Sequence, residues 1–164
     1  MNPAGPTRRT ITSRLEFHEA LRSAFGLAAE AQALEMRLCD RDFADWPLGE
    51  RAVVDQLTRW AGPRRRLLLI ASTFDEVPRR HARWTEWHRT WSHVVECRAN
   101  EELEHEQFPT LCVVPGVVSV RLMDVARHRG IASYEASDEQ ACLEAIDAVS
   151  QRSVPAFPPT ALGL

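Results

Sequence analysis

The 164-residue sequence lacks the features that mark membrane and secreted proteins. No apolar run approaches the length of a membrane span, and no apolar stretch follows the arginines near its start. We therefore expect neither a membrane segment nor a signal peptide. The cysteines include no C-x-x-C pair, which favours free buried thiols in a reducing, cytoplasmic environment. The four cysteines are Cys39, Cys97, Cys112 and Cys142.

An excess of positive charge is also absent. The 20 basic residues are outnumbered by 23 acidic residues, which gives a formal net charge of -3. This balance argues against nucleic acid and membrane surfaces as partners. His81 and His88 lie seven positions apart with no third ligand residue in register, so we expect no metal site. We also expect no cofactor, which leaves an unknown protein or small molecule, or a second copy in a homodimer, as the partner.

Composition is that of one soluble globular domain, with 45% hydrophobic and 26% charged residues. We assign residues 1–153 to a single α/β domain that begins with a flexible arm, residues 1–11. Residues 154–164 form a proline-rich apolar tail, which we expect to be extended. We expect Phe157 and Leu162 to dock in apolar grooves of the same domain or of a partner subunit.

The first half of the chain alternates between helical and strand patterns. A capping box at Ser13–Glu16 predicts a helix to about Ala31, followed by a strand at Ala33–Cys39. A helix at Glu50–Ala61 precedes the apolar run Leu67–Ala71, which is typical of a strand buried on both faces. After the next helix, Val94–Cys97 is the third strand. Such alternation predicts parallel strands with right-handed crossovers.

Between the second and third strands, three tryptophans have helical spacing. Trp84, Trp87 and Trp91 are predicted to form a core face of that helix.

The second half of the chain predicts antiparallel strands. We expect strands at Glu104–Val114, Gly116–Asp124 and Ile131–Ala136, and then a helix at Glu139–Arg152. The predicted fold class is therefore α/β, with a mixed, largely parallel-then-antiparallel sheet and helices on both faces.

One spacing in the predicted strand Glu104–Val114 is typical of a catalytic motif. His105, Gln107 and Cys112 stand at the spacing H-x-K-x4-D, although the lysine and the aspartate are replaced. The motif and the element order resemble half of a phospholipase D-like phosphodiesterase, over about residues 33–152. The resemblance implies that His105 would be the nucleophile and that Gln107 would contact the phosphate. It also implies that Glu135 would be the glutamate of the family's N-x-E motif. A complete site needs two copies of the motif.

An acidic and aromatic loop, Asp40–Gly49, follows the first predicted strand. This block, D-x-D-F-A-D-W-P-L-G, is similar to one shared by a bacterial family of short proteins, and that resemblance implies no known activity. We predict that Asp42, Asp45 and Trp46 in this loop form a binding pocket together with His105, at the carboxyl ends of the early strands.

Three functions are compatible with these residues. The first is a phospholipase D-like half-domain that is catalytically inactive and acts by binding, because four glutamates around His105 oppose the approach of a phosphodiester. The second is a homodimeric phosphodiesterase or nuclease that uses His105. The third is a magnesium-dependent phosphatase similar to the haloacid dehalogenases, with Asp40 and Asp42 in the D-x-D positions.

Overall fold

An eight-stranded mixed sheet runs through the computed structural model, which describes residues 6–159 of the chain. Its order is β1-β7-β6-β5-β2-β3-β4-β8. The strands are β1 (Arg8–Ile11), β2 (Glu35–Cys39), β3 (Arg66–Ala71), β4 (Val95–Ala99), β5 (Thr110–Val114), β6 (Val118–Asp124), β7 (Arg129–Ser133) and β8 (Val154–Pro155). The helices are α1 (Arg14–Ala31), α2 (Arg51–Trp60), α3 (Val77–Arg80), α4 (Ala82–Thr90) and α5 (Ala136–Ser150).

The centre of the sheet is parallel and its flanks are antiparallel. Strand β3 pairs in parallel with both β2 and β4, and the long connections between these strands hold α2 and then α3 and α4. Strand β5 runs antiparallel to β2, and hairpin connections then add β6 and β7. The mixed α/β class predicted from the sequence is confirmed at this level, while the phospholipase D-like assignment stays a prediction.

Helices cover both faces of the sheet because side chains alternate along each strand. Leu67 and Leu69 of β3 join a large core with residues of α1, α2 and α4. Ile70 of β3 joins a smaller core on the opposite face with Ile146 and Val149 of α5. No helix within residues 6–159 is both long and apolar enough to cross a membrane.

The segment before β5 differs from the strand predicted at Glu104–Val114. A single 3-10 turn, His105–Gln107, comes first, and β5 begins only at Thr110. Pro109 has no backbone N–H to donate to a ladder, and the exposed glutamates before it favour solvent over the sheet interior. His105 and Gln107 therefore do not lie on a strand.

Both ends of the described chain pair with the sheet. Residues 8–11, expected to belong to a flexible arm, form β1 against β7. Val154–Pro155 pairs with β4, and the amide of Ala156 donates to the carbonyl of Cys97 at 2.9 Å. Phe157 stacks on Phe74 with 5.5 Å between ring centroids, so this part of the tail docks on its own domain. Leu162 lies outside the described residues.

Candidate functional site

Polar residues meet at the carboxyl ends of the parallel strands. Asp40, Ser72 and Asn100 follow β2, β3 and β4, and Thr110 opens β5 at the same edge. The side chain of Asn100 donates to the carbonyl of Val149 at 2.9 Å and accepts from two amides of the next loop. Asn100 therefore fixes that loop to α5.

Asp40 is also occupied by internal hydrogen bonds. Its carboxylate accepts from the hydroxyl of Thr110 at 2.6 Å and from the amides of Phe43 at 2.8 Å and Asp42 at 3.3 Å. Burial raises the pKa of this carboxyl group, although these hydrogen bonds oppose the change. Asp42 in turn accepts from the amide of Ala44 at 2.9 Å. The D-x-D phosphatase site is therefore not formed, because the first aspartate is enclosed and holds the loop.

Three histidines fasten the Asp40–Gly49 loop to the rest of the domain. His81 accepts at Nδ1 from the amide of Gly49 at 3.1 Å and donates from Nε2 to the carbonyl of Phe43 at 2.7 Å. His18 donates to the carbonyl of Asp45 at 2.6 Å. His128 donates to the carboxylate of Asp45 at 2.5 Å. Because these contacts hold the loop against the domain, we call it a structural strap.

The two other predicted loop residues also serve this strap. Partial burial alone would raise the pKa of Asp45, but hydrogen bonds from Arg14 and His128 keep that pKa below its ordinary value. Trp46 is only 3% exposed and meets the rings of Phe17 and Phe43 edge to face. Its ring is enclosed by the domain, so no face of it is presented for stacking with a ligand.

The residues of the H-x-K-x4-D spacing are separated by the fold. His105 is exposed, and its Nε2 lies 3.4 Å from the hydroxyl of Ser72. Gln107 is exposed on the same 3-10 turn, whereas Cys112 is buried in β5, where burial raises the pKa of its thiol. Glu135 immediately precedes α5, and its carboxylate accepts from the hydroxyl of Thr7 at 2.9 Å instead of capping the helix. The structure brings His105 and Ser72 together and leaves the other positions apart.

A cluster of arginines lies at the opposite, amino edge of the parallel strands. We call Arg64, Arg65, Arg66 and His93 the arginine cluster; they line a cleft of about 350 Å³ together with Glu96. The sequence run Arg64–Arg66 was visible before β3, but nothing in it distinguished a binding surface from the flank of a strand. The fold adds His93, from the connection before β4, beside the run.

Most of this cluster is free to meet a ligand. Arg64 makes no ion pair or hydrogen bond with a described residue, and its backbone is left-handed, with φ of 66°. Arg66 is 77% exposed, and its guanidinium group lies 3.8 Å from the carboxylate of Glu96, beyond hydrogen-bond distance. Arg65 donates to the carbonyl of Trp60 at 3.1 Å and supports the turn.

The arginines around α3 are engaged instead. Arg79 and Arg80 lie 4.0 and 3.1 Å from Glu76, and Arg83 donates to the carbonyl of Gly49 at 2.7 Å. All three arginines around α3 therefore have a partner, whereas Arg64 of the arginine cluster has none among the described residues.

Comparison with known proteins identifies the fold. No family model matches the sequence, and no curated protein matches it. Among solved structures, the chain is similar to TrmBL2, an archaeal chromatin protein with a novel mode of DNA binding. The TM-score is 0.64 at 12% identity, and the match covers 95% of this chain and 56% of TrmBL2. The chain thus spans little more than half the length of that protein, and the likeness establishes the fold alone.

This likeness corrects two expectations from the sequence. A chromatin protein that binds DNA shares the fold, which contradicts the prediction that nucleic acid is not a partner. It also points away from the functions expected first: a phospholipase D-like binding module, a phosphodiesterase that uses His105, and a phosphatase that uses Asp40. Net charge is a weak guide to partners because it averages over the whole surface, whereas a ligand meets one patch of it.

Proposed function

We propose that this chain is a DNA-associated domain that contacts the phosphate backbone through the arginine cluster. The observation that carries the proposal is the likeness, over 95% of the chain, to a chromatin protein that binds DNA. We also propose that the protein is located in the cytoplasm, in a cell whose DNA lies in that compartment.

The chemistry of the cluster suits phosphate. A guanidinium group is planar, stays charged at all physiological pH values and can donate two parallel hydrogen bonds to a phosphate. Arg64 is exposed on a tight turn and Arg66 is exposed at the start of β3, so two such groups can reach neighbouring phosphates. Contacts to phosphate position a protein on DNA without reading its sequence. We therefore propose binding that is independent of base sequence.

The negative net charge does not oppose this mode of binding at physiological salt. Charges separated by more than about 8–10 Å across solvent are largely screened. Among the described acidic residues only Glu96 lines the cleft of the arginine cluster, and it also lies 3.0 Å from Arg98. Glu35, in register with Arg66, lies 3.2 Å from Arg37. The field that a phosphate meets at this surface is therefore positive.

Fluorescence anisotropy with a labelled 20-base-pair duplex tests the proposal. If Arg64 and Arg66 each neutralise one phosphate, the affinity falls roughly 12-fold as monovalent salt rises from 50 to 200 mM, from a slope of about −0.9 per phosphate. In Arg64→Gln/Arg66→Gln, which keeps the backbone contact of Arg65, we expect most of the affinity and most of that salt slope to be lost.

Arg79→Gln/Arg80→Gln is the matched control, since it removes the same charge from the α3 surface. We expect this control to bind DNA nearly as well as the wild type, because both arginines lie outside the arginine cluster and share contacts with the carboxylate of Glu76. Absence of wild-type binding at 50 mM salt contradicts direct DNA contact by this chain. An equal loss in both double variants contradicts the assignment to the arginine cluster.

A further inference from the structure

A larger cleft, of about 610 Å³, opens on the α5 face near the carboxyl end of β4. Its volume falls within the range of roughly 300–1,000 Å³ that is usual for small-molecule sites. Three segments form its walls: the loop between β4 and β5, the end of β6, and α5. Side chains that line these walls include Leu103, Phe108, Arg121, Met123, Ala148 and Val149.

The cleft exists because α5 covers only part of this face. Alternation along β6 sends Val120 and Leu122 into the core with α1, which leaves Arg121 and Met123 on the α5 side. Met123 is 63% exposed and Val125 is 45% exposed, although both are apolar. The end of β6 therefore presents apolar surface to solvent beside a half-buried arginine.

The guanidinium group of Arg121 has no counter-ion among the described residues. The side chain is half-buried and makes no hydrogen bond or ion pair with any of them; its electrostatic neighbour is the thiol of Cys142. The other cation of the cleft, Arg152, is 3.4 Å from Glu102. A partly desolvated guanidinium gains from a bound anion, and a carboxylate can accept two parallel hydrogen bonds from its planar fork.

The charge of the remaining wall does not favour a cation. Glu106 lines the cleft without an ion pair to a described residue, but its side chain is exposed and stays hydrated. Replacing that hydration by a ligand cation brings little free energy at an exposed site. The half-buried cation, not the exposed anion, therefore decides the charge of the ligand.

We propose that this cleft binds a small organic carboxylate with an apolar body. Its carboxylate pairs with Arg121, and its body lies against Phe108, Met123 and Val149. This site is separate from the arginine cluster, because Arg121 lies near the carboxyl ends of the parallel strands and the cluster lies at their amino ends.

Octanoate and 1-octanol, titrated into the full chain by calorimetry, test the proposal. The two probes share an apolar tail and differ in charge. We expect saturable one-to-one binding of octanoate, and a loss of about 10- to 100-fold in affinity in Arg121→Gln, the usual effect of removing a charged hydrogen-bond partner. The weaker binding of 1-octanol should change less than threefold in the same variant.

Variants on α5 separate the cleft from general surface effects. Ala148→Leu adds bulk to a wall residue and should weaken both probes, whereas Ala141→Leu adds the same bulk to an exposed position of α5 outside the cleft. Arg127→Gln, at a 76% exposed side chain, is the control for lost charge. The proposal is overturned if wild-type protein does not bind octanoate saturably. Equal octanoate affinity in the wild type, Arg121→Gln and Ala148→Leu overturns it as well.

Discussion

Acidification should destabilise this domain through a buried histidine, His88. Its side chain is 2% exposed and lies between the ring of Trp84, at 5.2 Å, and that of Phe157, at 5.6 Å. Its Nδ1 has no hydrogen-bond partner among the described residues. Burial, with a smaller contribution from Arg89, lowers the pKa of His88 from 6.5 to about 4. The folded state therefore holds a neutral imidazole that the unfolded chain protonates near pH 6.5.

The sign and size of the effect follow from linkage. Because the folded pKa is depressed, His88 contributes its full stability above pH 6.5 and loses it as the pH falls towards 4. Between pH 7.5 and pH 5.0 the unfolded state gains nearly one more proton than the folded state at this site. The free energy of unfolding should fall by about 2 kcal/mol over that interval from His88 alone.

Urea denaturation at pH 7.5 and pH 5.0 measures this loss, with His88→Phe as the test variant. His18 and His81, whose pKa values burial also lowers, act in the same direction, while the raised pKa of the buried Asp40 acts in the opposite direction. These groups are common to both proteins, so the difference in pH dependence isolates His88. We expect the wild type to lose about 2 kcal/mol more than His88→Phe.

The control is His93→Phe, since His93 is exposed. It should keep the pH dependence of the wild type. A pH dependence that is the same in His88→Phe and in the wild type would show that His88 is accessible to protons in the folded state, and the burial argued here would be wrong.

Two further predictions concern packing around α4, the helix that carries His88. Trp87→Ala should lower the free energy of unfolding by about 3–5 kcal/mol, because the ring is buried and its Nε1 donates to the hydroxyl of Thr58 at 3.1 Å. The control is Thr90→Ala, since Thr90 is exposed and follows on the same helix. A loss below about 1 kcal/mol in urea denaturation contradicts the inward orientation of Trp87. Truncation after Ser153 removes β8 and the Phe157 stack and should lower the melting temperature by about 2–8 °C. An unchanged melting temperature and an unchanged size-exclusion profile would show that the tail contributes nothing to this fold.

Hydrophobic patterns in the sequence predicted the central strands of the sheet but not its two edge strands. The apolar run at Leu67–Ala71 marked a doubly buried strand, and the structure places β3 there, between two parallel neighbours. The edge strands β1 and β8 have no such apolar run, since each is short and exposed. Each forms only by pairing with a strand that is distant in the sequence. Strand signals depend on burial of a face, and an exposed edge strand has little of it.

The loop Asp40–Gly49 was misinterpreted for a related reason. Acidic and aromatic residues after a strand are typical of a ligand site, and the same residues also suit a structural strap. The deciding contacts come from His18, His81 and His128, which lie 27, 38 and 83 positions from the loop atoms that they contact. No spacing rule connects residues so far apart, and only the fold shows that Trp46 is enclosed.

The two proposed sites lie at opposite ends of the strands of one sheet, and this separation weakens the electrostatic interaction between them. The arginine cluster borders the start of β3, whereas Arg121 is in register with Leu111 of β5, which pairs with Cys39 at the end of β2. A five-residue strand rises about 16 Å, more than a Debye length at physiological salt. Charge at one site is therefore largely screened from the other, and each bound group meets its own local field. A change in DNA affinity on adding octanoate would need a conformational change that runs through the core of the sheet, because direct repulsion between the two bound anions is too weak at that distance.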